Sequence, residues 1–120
     1  MEYKAADNKE ARSQDFVLQM AEHISTPVTI FDHIGRPYCF RKFLWLGNWG
    51  IANANGTKVI VPAKANYLQA EILVFAKVLI AGNSNNGWDV YSLSGELMEH
   101  LSPMPFAKAN TMLDERVSLD

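Results

Sequence analysis

The sequence contains a single cysteine, three histidines and no apolar run long enough to cross a bilayer. Cys39 alone excludes an internal disulfide and points to a reducing compartment, where it reads as a small buried hydrophobe between Tyr38 and Phe40. His23, His33 and His100 stand in no HxxxH, HxH or CxxC spacing. No metal centre, cofactor or Cys–His dyad is therefore expected. A membrane helix needs about 20 consecutive apolar residues. The nearest run, residues 72–81, is shorter and carries Lys77. The first fifteen residues mix charges of both signs without an apolar segment, so no secretory signal is expected. There is also no Lys/Arg-rich run, and the net charge is −2, which argues against a nucleic-acid partner. These absences predict a cytoplasmic protein with no membrane-spanning helix.

What is present is a repeated turn grammar. Asn53-Ala54-Asn55-Gly56 separates an apolar run (Trp49, Ile51, Ala52) from a β-branched one (Val59, Ile60, Val61). Asp32-His33-Ile34-Gly35 follows Val28-Thr29-Ile30-Phe31, and Ser92-Leu93-Ser94-Gly95 follows Trp88-Asp89-Val90-Tyr91. Asp, Asn or Ser opens a type I turn well, and a glycine three residues on can take the positive φ with which a hairpin loop closes. Three copies of the pattern predict β-hairpins across residues 28–101. Within that span, Tyr38, Phe40 and Lys42 share one strand face, while Cys39, Arg41, Phe43 and Trp45 share the other. Residues 72–80 fit a buried strand or a short buried helix. Their valine and isoleucine content and the breaker cluster at 82–87 favour a central strand.

Before the hairpins, Phe16, Val17, Met20, Ala21 and Ile24 recur at helical spacing, with Asn8 as an N-cap and Pro27 beyond the end. A helix over about residues 9–24 is expected. Residues 102–120 read as a C-terminal arm, extended or with one helical turn. The 120 residues form one domain. Its expected class is α+β, with the N-terminal amphipathic helix packed on a curved antiparallel sheet of about six strands.

The chain resembles the bacterial WG-repeat family. Trp49-Gly50-Ile51, the turn ending in Gly56, and Val59 through Pro62 match one unit. Phe75-Ala76-Lys77-Val78, Trp88-Asp89-Val90 and the turn ending in Gly95 match most of a second, with Asp89 where the family has glycine. Residues 28–35 match a fragment. The turn glycines are unevenly spaced, so the resemblance implies a curved sheet rather than a regular solenoid. It also implies a binding or scaffolding surface in a bacterial protein, and it brings no catalytic residues with it.

Residues 26–70 are basic, with Arg36, Arg41, Lys42, Lys58 and Lys64 against Asp32 alone, whereas residues 71–120 are acidic. Such asymmetry steers encounters. Aromatics interleaved with Arg41 and Lys42 up to Trp45 are the side chains protein interfaces favour. Asp89, Glu96 and Glu99 would supply an acidic face toward a basic partner. The expected protein-binding residues are thus Arg41, Lys42, Trp45, Asp89, Glu96 and Glu99, with no catalytic residue. The function expected is non-catalytic recognition of another protein, most sharply a small immunity-type antagonist that neutralises a toxin or effector by direct binding. One alternative is a ligand-binding sensor with a pocket lined by Phe16, Met20 and Phe75. Another is an enzyme that would need His100 to converge with Glu96 or Asp89 in a cleft.

Overall fold

The computed structural model describes residues 19–119. Each of the three tetrapeptides closes a turn. Gly35 donates to the Asp32 carbonyl at 3.1 Å, Gly56 to that of Asn53 at 2.9 Å, and Gly95 to that of Ser92 at 3.0 Å. The opening side chains accept further amide protons. Asp32 Oδ1 takes those of Ile34 and Arg36, Asn53 Oδ1 that of Lys58, and Ser92 Oγ that of Glu96. The polar first residue thus satisfies backbone donors that a hairpin loop would otherwise leave unpaired.

Among the described residues nine strands form two sheets. The first sheet contains β1 (His23–Ile24), β2 (Val28–Phe31), β3 (Pro37–Trp45), β4 (Asn48–Asn53) and β5 (Val59–Val61). β3 is long enough to hold β2 against residues 37–40 and β1 against residues 43–44 on one edge, with β4 on the other. The second sheet is a meander of β6 (Gln69–Leu73), β7 (Val78–Asn83), β8 (Gly87–Tyr91) and β9 (Leu97–Leu101). Every pairing is antiparallel. One helix, α1 (Phe106–Leu119), follows.

Alternation along the strands builds three layers. Ile30, Phe40, Ile51 and Val61 of the first sheet meet Ala70, Leu79, Ala81 and Tyr91 of the second in one buried cluster. Ile80, Trp88, Val90 and Leu101 point the opposite way and pack on Ala109 and Leu113 of α1. The second sheet is therefore covered on both faces, which explains the near-continuous apolar character of β7.

The expected helix-on-sheet arrangement is overturned. Residues 9–18 of the expected N-terminal helix lie outside the described residues. Of the remainder, Gln19 and Met20 are helical, whereas His23–Ile24 is a strand. Glu22 donates to the Leu44 carbonyl and Ser25 to that of Lys42. β2 stops short of these β3 positions, and their backbone groups take the 22–25 segment as a partner in preference to its helical period. The helix that packs on a sheet is C-terminal, within the expected arm. Pro105 supplies the carbonyl that accepts from Lys108 and Ala109, so the proline opens α1 rather than excluding it. Phe106, Ala109, Leu113 and Val117 then fall on one face.

Residues 72–80 are not one strand. The chain reverses at Val74-Phe75-Ala76-Lys77 between β6 and β7, with Lys77 in the left-handed region (φ 60°). No glycine or asparagine marks this turn, so the apolar run concealed it. Cys39 is exposed rather than buried, because it lies on the outer face of β3, where Thr29 Oγ1 contacts its sulfur at 3.6 Å. Among the described residues no helix is long and apolar enough to cross a membrane.

Candidate functional site

Three turns meet at one end of the molecule: residues 32–35, 74–77 and 92–95. Lys77 Nζ reaches across to donate to the Phe31 carbonyl at 2.6 Å, fastening the second turn to the first. Asp32, Arg36 and Tyr38 from the first turn, Lys77 from the second and Ser92 and Met98 around the third line a hollow of about 310 Å³. A second hollow of about 380 Å³ shares His33, Ala76, Val78 and Met98 with it and runs on to Leu113 and Arg116 of α1. Together they form one groove.

The turns around this groove carry exposed apolar side chains. Phe31 and Ile34 stand on the first turn, Val74 and Phe75 on the second, and Leu97 and Met98 just after the third. Ile34 is 75 % exposed and Phe75 57 %. The neighbouring charges are already engaged. Asp32 holds Arg36 at 2.7 Å, Lys77 is spent on Phe31, and Glu99 binds Arg116. What remains free for a ligand is predominantly hydrocarbon surface. Large apolar side chains exposed on neighbouring turns are a feature of interaction sites in soluble proteins.

The residues expected from the sequence are placed as follows. Arg41 donates from Nε to the Ala54 carbonyl at 2.9 Å and from Nη1 to that of Ser25 at 3.2 Å. Lys42 pairs with Glu71 at 3.0 Å and lies 5.7 Å over the Trp49 ring. Trp45 lines a separate apolar hollow of about 220 Å³ on the outer face of the first sheet, with Met20, Phe43, Val59 and Pro62. Asp89 and Glu99 face opposite sides of the second sheet, since each aligns with its cross-strand neighbour, Asp89 with His100 and Glu99 with Val90. They share no acidic face, and each is bonded to a basic side chain, Asp89 to His100 and Glu99 to Arg116. Glu96 is exposed at the third turn. The structure thus gathers Arg41 and Lys42 on β3, but on opposite faces, and separates the three carboxylates.

The sensor pocket expected from Phe16, Met20 and Phe75 is not assembled. Met20 lines the outer hollow, Phe75 sits on the second turn, and Phe16 lies outside the described residues. His100 does converge with one of its expected partners: Nδ1 is 2.7 Å from Asp89 Oδ1. Asp89 Oδ2 accepts from Tyr67 Oη at 2.5 Å, and the Tyr67 and Tyr91 hydroxyls are 2.7 Å apart. Burial works against the Asp89 charge, but hydrogen bonds from Tyr67 and His100, with the charges of His100 and Lys64, outweigh it and hold the carboxyl below its ordinary range. Burial, then the bonds with Asp89 and Tyr91, push the Tyr67 phenol far up, so it stays neutral and donates. Among the described residues no group of three or more His, Cys, Asp or Glu side chains could hold a metal ion.

The sequence reading missed the apolar turn end. Its one available signal was Val74-Phe75, two large apolar residues beside a lysine that has to turn. Comparison with family models, curated proteins and solved structures gave no match to this chain.

Proposed function

We propose that this protein is a non-catalytic recognition module that binds another protein through the three-turn end, acting in the cytoplasm. The observation that carries this reading is the convergence of Phe31, Ile34, Val74, Phe75, Leu97 and Met98 on turns that share one groove. Turn 74–77 supports it further. Ala76 of this turn is buried, but Val74 and Phe75 are left exposed, where apolar side chains cost solubility and are best used in an interface. The sharper form is an immunity-type antagonist that neutralises a toxin or effector by covering its surface. The partner would present apolar side chains to the groove, because the local charges are internally paired.

The test compares capture by the native chain with capture by a Phe75→Asp/Met98→Asp variant and by Leu68→Asp, a substitution of an exposed leucine outside the groove. The expected result is a stoichiometric protein partner held by the native chain and by L68D at raised salt, and lost with the double variant. Equal capture by all three would refute the assignment of this surface.

A further inference from the structure

Independently of the three-turn end, a second site stands at the other end of β8. We propose that the cleft between residues 64–67 and the 84–86 turn binds a small oxyanion, a carboxylate or a phosphate, through Lys64, His100 and the side-chain amides of Asn66 and Asn86. The cleft has a volume of about 240 Å³, sufficient for one small acid and its water but below the usual size of a drug-sized ligand site.

Its floor is already saturated with hydrogen bonds. Tyr91 and Tyr67 share one contact, Tyr67 donates to Asp89 Oδ2, and His100 Nδ1 takes Oδ1. Each Asp89 carboxylate oxygen thereby holds a hydrogen bond. The same bond fixes the imidazole with its proton on Nδ1 and leaves Nε2 as the only ring nitrogen still available. The ring edge lies against Gly87, where a Cβ would stand 2.7 Å from Nε2 and 2.9 Å from Cε1. Gly87 also holds a φ of 93°, so backbone conformation and the imidazole both require glycine there.

The rim offers donors. Lys64 is exposed, and no carboxylate among the described residues lies within ion-pair distance of its ammonium. Asn66 and Asn86 are exposed beside it, and their side-chain amides bond to no other described residue. Asn66 is held in place by its own backbone, with φ 76° and its carbonyl taken by Asn83 Nδ2 at 2.6 Å. The Lys64 ammonium and the side-chain N–H groups of Asn66 and Asn86 supply the donors that an oxyanion needs.

His100 can donate from Nε2 only as the imidazolium, because Nδ1–H is committed to Asp89. The charged and titratable groups around that ring are Asp89 on β8 and Lys64 and Tyr67 on the connection before β6.

Amide NMR titration of the full chain with sodium phosphate, and separately with sodium acetate, at constant ionic strength tests the proposal. Saturable shifts confined to residues 64–67, 86–87 and 100 are expected. Lys64→Ala should weaken binding about tenfold, the loss of one charge-assisted contact. Lys58→Ala should leave it unchanged. Saturation by phosphate alone or acetate alone assigns the anion class. No saturable shift with either salt, or equal affinity in K64A, overturns the site.

Discussion

The phenyl ring of Phe43 lies across Gly50, its register partner on β4. A Cβ at Gly50 would sit 2.7 Å from Phe43 Cζ and 2.6 Å from the Val61 carbonyl on β5. The ring takes the space a side chain would fill and shields the strand's backbone, a known way of keeping glycine in a sheet. Gly50→Ala should destabilise the fold by about 1–3 kcal/mol through overpacking. The Val61 carbonyl belongs to the adjoining strand and cannot swing aside. Urea midpoints of G50A, and of G50A combined with Phe43→Leu, check this. The added room should recover only part of the loss, since the backbone clash remains.

Trp88 ties α1 to the second sheet. It is 1 % exposed, donates from Nε1 to the Met104 carbonyl at 2.8 Å and meets the Phe106 ring edge-on at 5.6 Å. Trp88→Phe keeps an aromatic ring but removes the donor, leaves the Met104 carbonyl without it and opens space in the core. A loss of about 1–3 kcal/mol is expected. Hydrogen exchange should show it first in residues 106–117. Protection that falls equally throughout the chain would mean that α1 does not open separately from the sheets.

How much of this could be read from the sequence depends on which residues announce themselves. The Asp32, Asn53 and Ser92 turns were legible because a polar opener and a glycine are both needed to close such a loop. Alternation along 38–45 likewise separates Phe40 and Phe43 onto opposite faces of β3, without telling which face meets the second sheet. The 74–77 turn was illegible, because Lys77 takes a left-handed backbone without a glycine and the flanking residues are apolar. α1 was legible in principle, from Phe106, Ala109, Leu113 and Val117 behind Pro105, where the expectation was an extended arm or one helical turn. The fate of 23–24 depended on an open stretch of β3 edge, at Phe43 and Leu44, about twenty positions along the chain. No local pattern contains that. The Asp89–His100 pairing was named as a requirement, yet only the β8–β9 register brings the two together, whereas Glu96 stays apart at the turn.

Asp89 makes folding stability sensitive to acid. Its carboxyl is depressed below the ordinary 3.8. A depressed carboxylate contributes in full above its unfolded value, and the contribution is lost as pH falls through its folded value. Asp89→Asn should therefore be less stable than the native chain near neutrality, by about 1–2 kcal/mol for the changed bonds to Tyr67 and His100. The gap should narrow as pH falls below about 4. Thermal unfolding of both proteins across that range measures it. A gap independent of pH would mean that shape rather than charge holds this network.

Arg41 distinguishes a structural basic residue from a contact residue. Its guanidinium spans the carbonyls of Ser25 and Ala54, so it clamps the connection before β2 to the turn after β4. An arginine that reads as an interface side chain in an aromatic stretch is here occupied within its own chain. Arg41→Ala should leave two carbonyls without their charged donor and cost about 1–3 kcal/mol. Capture of a partner through the three-turn end should be unchanged. Lys42→Ala should cost less, about 0–1 kcal/mol, because the Glu71 bridge is partly exposed and the Trp49 contact is long. A contact role for Arg41 demands the opposite pattern, an unchanged denaturation midpoint with partner capture lost. Measuring both quantities on R41A therefore separates the two roles, because each predicts the result the other forbids.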